Sequence, residues 1–196
     1  MAILVNTGAA AEMEYADGTR EPARACWGTP EWLYEVLDLE FGFHLDAAAS
    51  PENAKCGHYI TLAEDALETD WILASGRNRP HVFLNPPYCG ARYGMPPLAA
   101  WTARAAEQAA HGCLVVMLVP SDTGTRWFAK AAEVADEIRL ITPRVNFEPP
   151  HADIRRSGNT GALAVIVYAP FWQIRGKYPV HPRGARIWVW EARGAA

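Results

Sequence analysis

Residues 113–120, "CLVVMLVP", form an unbroken apolar run. A run this short and this rich in valine and leucine reads as a strand, and without polar alternation it has no face to give to water. It needs cover on both sides, and the neighbouring segments can supply it. "GTPEWLYEVLDLEFG" (28–42) is punctuated as a helix, with Thr29 as N-cap, Pro30 at the first position, Glu31 near the positive end and Gly42 as the stop. Leu33, Val36 and Leu37 give that helix one apolar face. An alanine-rich helix is expected over residues 97–111, closed by Gly112, and another within "RWFAKAAEVAD", for which Asp122 and Arg126 are capping candidates.

"FHLDAAAS" reads as a short strand ending at Asp46, and "HVFLN", "EIRLI", "ALAVIVYA" and "RIWVWEA" as further strands. The stretch from Asn53 to Trp71 has little pattern: a short helix, a weak strand near Tyr59 and Ile60, and loop. Strands alternating with helices specify a parallel α/β sheet. The last two strands have little helix between them, which suggests an antiparallel edge. Residues 142–161 form a long polar loop, of the kind that is usually functional.

At 196 residues the chain fits one domain with a sizeable core. Residues 1–25 read as an N-terminal tail or arm and residues 26–196 as the domain. No apolar run approaches the roughly 20 residues of a membrane helix. No basic region precedes the short apolar stretch at the N-terminus, which argues against a signal peptide. Four cysteines without a CxxC pair indicate reduced thiols and a cytoplasmic protein; "CGH" at 56–58 lacks a second ligand pair at zinc spacing, so no metal is expected.

In open α/β sheets, ligands sit beyond the carboxyl ends of the strands. Asp46, "PSDTGT" (120–125) and Asn85-Pro86-Pro87-Tyr88 fall there. Two prolines straight after a strand end its pairing and hold the backbone still. The exocyclic amine of adenine is a poor nucleophile because its lone pair is delocalised into the ring. An Asn85 side-chain oxygen and a Pro86 carbonyl accepting its two hydrogens would steer the nitrogen toward tetrahedral geometry, which is preorganised stabilisation of developing charge. Tyr88 would stack on the base, and a base in a duplex would first have to be flipped out.

Asn-Pro-Pro-Tyr after a strand resembles the catalytic signature of amino-group methyltransferases that use S-adenosylmethionine (AdoMet). Together with "WGTP", "LDAAASPENAKC", "EDALETDW", "VPSDTGTRWF" and "PRVNF", in that order over roughly residues 26–168, it resembles the phage-type DNA adenine N6-methyltransferases of the Dam superfamily. The resemblance implies a Rossmann-like AdoMet-dependent methyltransferase fold, a mostly parallel sheet with an antiparallel edge. It implies AdoMet as donor and adenine in double-stranded DNA as acceptor, in the cytoplasm of a bacterium or phage-infected host.

It also implies roles. The catalytic element is Asn85, Pro86, Pro87 and Tyr88. Thr29 and Pro30 meet the methionine part of AdoMet, and Asp46 with Ala47 lies near the donor's amino group. Asp65 with Ala66 holds either the adenine or the ribose of AdoMet, and Asn85 borders the cofactor as well. "DAAAS" departs from the family pattern in lacking a glycine-rich loop. Two other readings fit the same residues: methylation of RNA or of a protein glutamine amide, and non-catalytic nucleic-acid binding on the same fold.

No independent target-recognition domain fits in this length, so sequence reading falls to inserts at 89–97 and 142–161 and to the basic C-terminal segment. Residues 1–139 hold 10 Lys and Arg against 19 Asp and Glu, whereas residues 140–196 hold 8 against 3. A basic face on an acidic body follows, with Arg92, Arg144, Arg155, Arg156, Lys177 and Arg183 as DNA-binding candidates, in a monomer or a homodimer. Replacing Arg155 and Arg156 together by alanine is expected to weaken DNA binding and leave AdoMet binding unchanged. In a salt titration, each lost phosphate contact lowers the slope by about one, whereas a lost base contact relaxes the choice of site.

Overall fold

The computed structural model describes residues 3–6, 11–14, 18, 20–22, 26–88, 94–151, 161–170 and 185–192. The segment read as a tail or arm carries three short strands, β1 (Ile3–Asn6), β2 (Ala11–Glu14) and β3 (Arg20–Pro22), paired as an antiparallel meander. Strands of three or four residues are too short to leave a legible alternation.

The main sheet has seven strands: β4 (Leu45–Asp46), β5 (His58–Tyr59), β6 (His81–Leu84), β7 (Leu114–Pro120), β8 (Glu137–Thr142), β9 (Leu163–Tyr168) and β10 (Arg186–Glu191). Their order across the sheet is β10-β8-β9-β7-β6-β4-β5. Every pairing is parallel except those of β9, which runs antiparallel between β7 and β8. The antiparallel component expected among the last strands is therefore β9, and β10 forms the edge alongside β8. This is a Rossmann-like α/β architecture of the kind methyltransferases use.

The apolar run behaves as its composition requires. Along β7, Val115, Met117 and Val119 face one layer and Leu114, Val116 and Leu118 the other, all at most 2% exposed. On the second face lies α1 (Glu31–Phe41), through Leu33, Tyr34, Leu37 and Phe41. The first face is covered by α2 (Trp71–Ser75), α3 (Leu98–His111) and α4 (Arg126–Val134), through Trp71, Trp101, Ala105, Phe128 and Ala131. No helix among the described residues is long and apolar enough to cross a membrane.

Helix ends differ from the sequence reading in detail. Pro30, not Thr29, occupies the N-cap of α1 and makes no side-chain cap; Thr29 is itself buried. Gly42 ends the helix in the left-handed region (φ 64°), its N–H donating to the Asp38 carbonyl at 2.7 Å. Thr125 caps α4 through its hydroxyl, rather than Asp122 or Arg126. Asp70 caps α2, accepting from the N–H groups of Ile72 and Leu73.

Near the β10 edge, buried Arg139 meets two carboxylates, the buried Glu137 and the exposed Glu40. Its guanidinium donates to both oxygens of Glu40 at 2.6 Å and to Glu137 at 2.9 Å. It also lies over the rings of Phe41, Trp188 and Trp190. Glu137, 1% exposed, would keep a buried charge without its main partner if Arg139 were removed. Arg139→Met is expected to cost about 3–5 kcal/mol in urea unfolding, and Glu137→Gln added to it is expected to restore part of the loss.

Candidate functional site

The carboxyl ends of β4 and β6 open onto one cleft. Residues 47–50 line it from the loop after β4, and Asn85 and Pro87 from the turn after β6. Ile60, Leu62, Ala66, Met95 and Pro96 form apolar walls, with Cys26, Asn53, Thr61, Asp65 and Trp101 completing the lining. Trp101 sits in the first turn of α3, and its buried Nε1–H has no hydrogen-bond partner among the described residues. The cleft thus joins the Asn-Pro-Pro-Tyr element to Asp65 and to the loop after Asp46.

Asp46 does not line the cleft; it holds the loop that does. Its carboxylate is 3% exposed and accepts from the backbone N–H of Lys55 (3.0 Å) and, more loosely, of Ala48 (3.4 Å). The rest of the loop is fixed by main-chain bonds: Ala47 N–H to the Phe83 carbonyl, Ala49 N–H to Ile60, and a turn from Ser50 to Ala54. Burial pushes the Asp46 carboxyl up to about 6 against the opposing pull of the two N–H donors.

Asp65 lies in the left-handed region (φ 51°) just after a short 3₁₀ turn, Leu62–Glu64, and its Oδ1 accepts from Leu67 N–H at 3.1 Å. Thr29 and Pro30 are not among the residues that line this cleft. Their segment is pinned by Gly28, which exchanges main-chain bonds of 2.9 and 2.8 Å with Glu148. Gly28 and Glu148 border a second hollow with Met13 of β2, Glu31 and Lys55, and that hollow shares Cys26, Ser50 and Asn53 with the cleft.

In the Asn-Pro-Pro-Tyr element, Asn85 and Pro87 face the cleft and Pro86 is buried. Tyr88 is not among the residues lining the cleft. Its ring packs against the α1 side of the core and meets Phe147 edge-on at 5.8 Å between centroids. Its hydroxyl lies 2.7 Å from Asn85 Oδ1 and 2.9 Å from the Leu118 carbonyl of β7. The sequence reading placed Tyr88 as a platform for a base; its ring is half-buried, and its hydroxyl sits against Asn85.

The first part of the 142–161 loop is anchored rather than featureless. Val145 is 1% exposed, Phe147 contacts Tyr88, and Glu148 pairs with Gly28. Arg144 is exposed, just beyond the carboxyl end of β8. Arg92, Arg155, Arg156, Lys177 and Arg183 lie outside the described residues.

A family model described as DNA N-6-adenine-methyltransferase (Dam) matches residues 17–185. The chain belongs to this family. A DNA N-6-adenine-methyltransferase of Escherichia phage T1 is 34% identical over 150 residues, covering 75% of this chain and 58% of the relative. This chain thus spans less than two thirds of that protein's length. A second relative of the same name, from Haemophilus phage HP1, is 27% identical over 166 residues, covering 82% of this chain and 89% of its own.

Sequence reasoning did not find Trp101, Met95 or the Gly28–Glu148 pairing. Trp101 shares the buried face of α3 with Ala105 and Ala109 and so reads as core. "PRVNF" did carry a signal, since Val145 and Phe147 are its two apolar residues.

Because Asp46 holds its proton more tightly in the fold than in the unfolded chain, where 3.8 is the ordinary value, protonation favours the fold. That contribution is complete below pH 3.8 and is lost as the pH rises through about 6. Relative to Asp46→Asn, the parent should lose up to about 3 kcal/mol between pH 4 and pH 7. Urea unfolding of both proteins across that range checks it; a constant difference would contradict the assignment.

Proposed function

We propose that this protein is a site-specific DNA adenine N6-methyltransferase that takes its methyl group from AdoMet and acts on a flipped-out adenine. The observation that carries the reading is the shared cleft: Asn85 and Pro87 open onto the same space as Asp65 and residues 47–50, in a chain of the Dam family. Both phage relatives carry the name of that activity.

The residues present fit AdoMet. Ile60, Leu62, Ala66, Met95 and Pro96 offer apolar contact to a flat heterocycle, and Asp65 provides a carboxylate beside them for adenine or ribose. The unpartnered Trp101 N–H adds a buried donor in the same wall. Small side chains at 47–49 let the ligand come close to the loop, and Asp46 acts through that loop. When bound, AdoMet supplies an electrophilic methyl group.

The protein's own work is to prepare the amine. Asn85 Oδ1 accepts one N6 hydrogen and the Pro86 carbonyl the other, turning the nitrogen lone pair away from the ring. No strong general base is required, because solvent can take the proton once nitrogen has become cationic. The exposed Arg144, just beyond the carboxyl end of β8, would in this reading meet a DNA phosphate or a base edge.

The test combines calorimetry with AdoMet and methyl transfer to duplex DNA, with RNA and protein as parallel acceptors. Asp65→Ala is expected to weaken AdoMet binding. Asn85→Ala is expected to lower kcat on DNA by about 10²–10³ while AdoMet affinity is nearly unchanged. Well-folded protein that binds no AdoMet, or an Asn85→Ala variant as fast as the parent, would refute the reading.

A further inference from the structure

The phenol of Tyr88 touches two oxygens, and it has one proton. Asn85 Oδ1 is 2.7 Å away and the Leu118 carbonyl 2.9 Å. Both are acceptors, so one of the two contacts would bring lone pairs together with no hydrogen between them. The Leu118 carbonyl is held by β7 in the middle of the sheet and cannot turn. The Asn85 carboxamide can: a half-turn of its terminal torsion exchanges oxygen for nitrogen in nearly the same volume. Only that exchange gives every contact a donor and an acceptor.

We propose that Tyr88 is a positioning residue that sets the orientation of the Asn85 carboxamide, through the chain Asn85 Nδ2–H to Tyr88 Oη and Tyr88 Oη–H to the Leu118 carbonyl. The consequence falls on the other end of the amide. With Nδ2 committed to Tyr88, Oδ1 is directed away from Tyr88, toward the cleft that Asn85 lines, where an acceptor is needed for an amine hydrogen. In the opposite orientation the amide would present a donor to a donor, and the site would repel the group it has to bind.

The phenol is well braced. Tyr88 packs on the α1 side of the core and against Phe147, and Phe147 lies between buried Val145 and Glu148, which is tied to Gly28. Burial also raises the phenol's affinity for its proton well above the ordinary tyrosine range, so the hydroxyl remains a donor at any working pH. This role differs from base stacking, which needs the ring alone.

The inference rests on the proposed amine chemistry, and the experiment separates the two. Steady-state methylation of duplex DNA is measured for parent, Tyr88→Phe, Asn85→Ala and the double variant, with thermal unfolding as the control for folding. Tyr88→Phe should lower kcat by about 10- to 100-fold, as loss of orientation does, with KM for DNA and AdoMet affinity unchanged. Added to Asn85→Ala it should cost nothing further, because both changes remove one function. A parent that methylates and a Tyr88→Phe variant with the same kcat would overturn the inference and leave the proposed function standing. A parent that transfers no methyl group would overturn the function instead. Side-chain amide NMR then decides the inference without turnover: the Asn85 NH₂ pair, assigned by its loss in Asn85→Ala, should have one hydrogen shifted downfield and slow to exchange, and Tyr88→Phe should abolish this. An Asn85 pair identical in both proteins would overturn the proposed chain.

Discussion

The rest of the molecule follows from the need to hide β7 on both faces. Each residue from 114 to 119 is at most 2% exposed, so neither face of the sheet can be left to water. Helices must lie above and below, and their connections must enter and leave at the strand ends. Main-chain groups freed from the ladder are available only at those ends. That places Asn85 after β6 and residues 47–50 after β4, side by side at the carboxyl edge. The same constraint makes the Leu118 carbonyl a fixed point: an acceptor on a central strand cannot move without moving the sheet.

Legibility in the sequence follows the range of the interactions. Local rules located the central strands, the helix stops at Gly42 and Gly112, and Asn-Pro-Pro-Tyr at a strand end, because each depends on neighbours a few residues away. The contacts that hold the candidate site span the chain. Gly28 meets Glu148, Tyr88 meets Leu118, and Lys55 N–H closes on Asp46 nine residues earlier. No periodicity encodes such pairs. The Thr29 cap failed for the same kind of reason: the residue type suits an N-cap, but the Gly28–Glu148 pairing draws the segment inward and Pro30 takes the position.

Asp46 shows how a residue's place can be legible in the sequence while its contacts are not. Its position at the end of β4 was legible. Its carboxylate, however, is turned to main-chain N–H groups instead of the cleft, a choice that depends on where Lys55 falls after the turn from Ser50 to Ala54. An ionisable group held in so little water costs stability when charged, and here that cost falls on the residue whose carboxylate holds the loop. Tyr88 is the parallel case. The position of its ring was legible, but the contacts of its hydroxyl with Leu118 and of its ring with Phe147 come from residues far along the chain.

The alanine loop is the clearest departure from the family pattern, and the backbone explains it. Glycine is needed where φ is positive or where a ligand needs room that a Cβ would fill. Among the described residues, the sole non-glycine with positive φ is Asp65, so residues 46–55 turn entirely within conformations open to alanine. The loop is shaped from below, by the Asp46 carboxylate and by main-chain bonds to Phe83 and Ile60, and needs no unusual torsion of its own. Alanine methyls at 47–49 then give the cleft an apolar floor that glycine would not. The absence of the glycine motif, which alone would suggest a decayed site, is therefore compatible with an intact one: a buried carboxylate and main-chain bonds hold the loop in place without it.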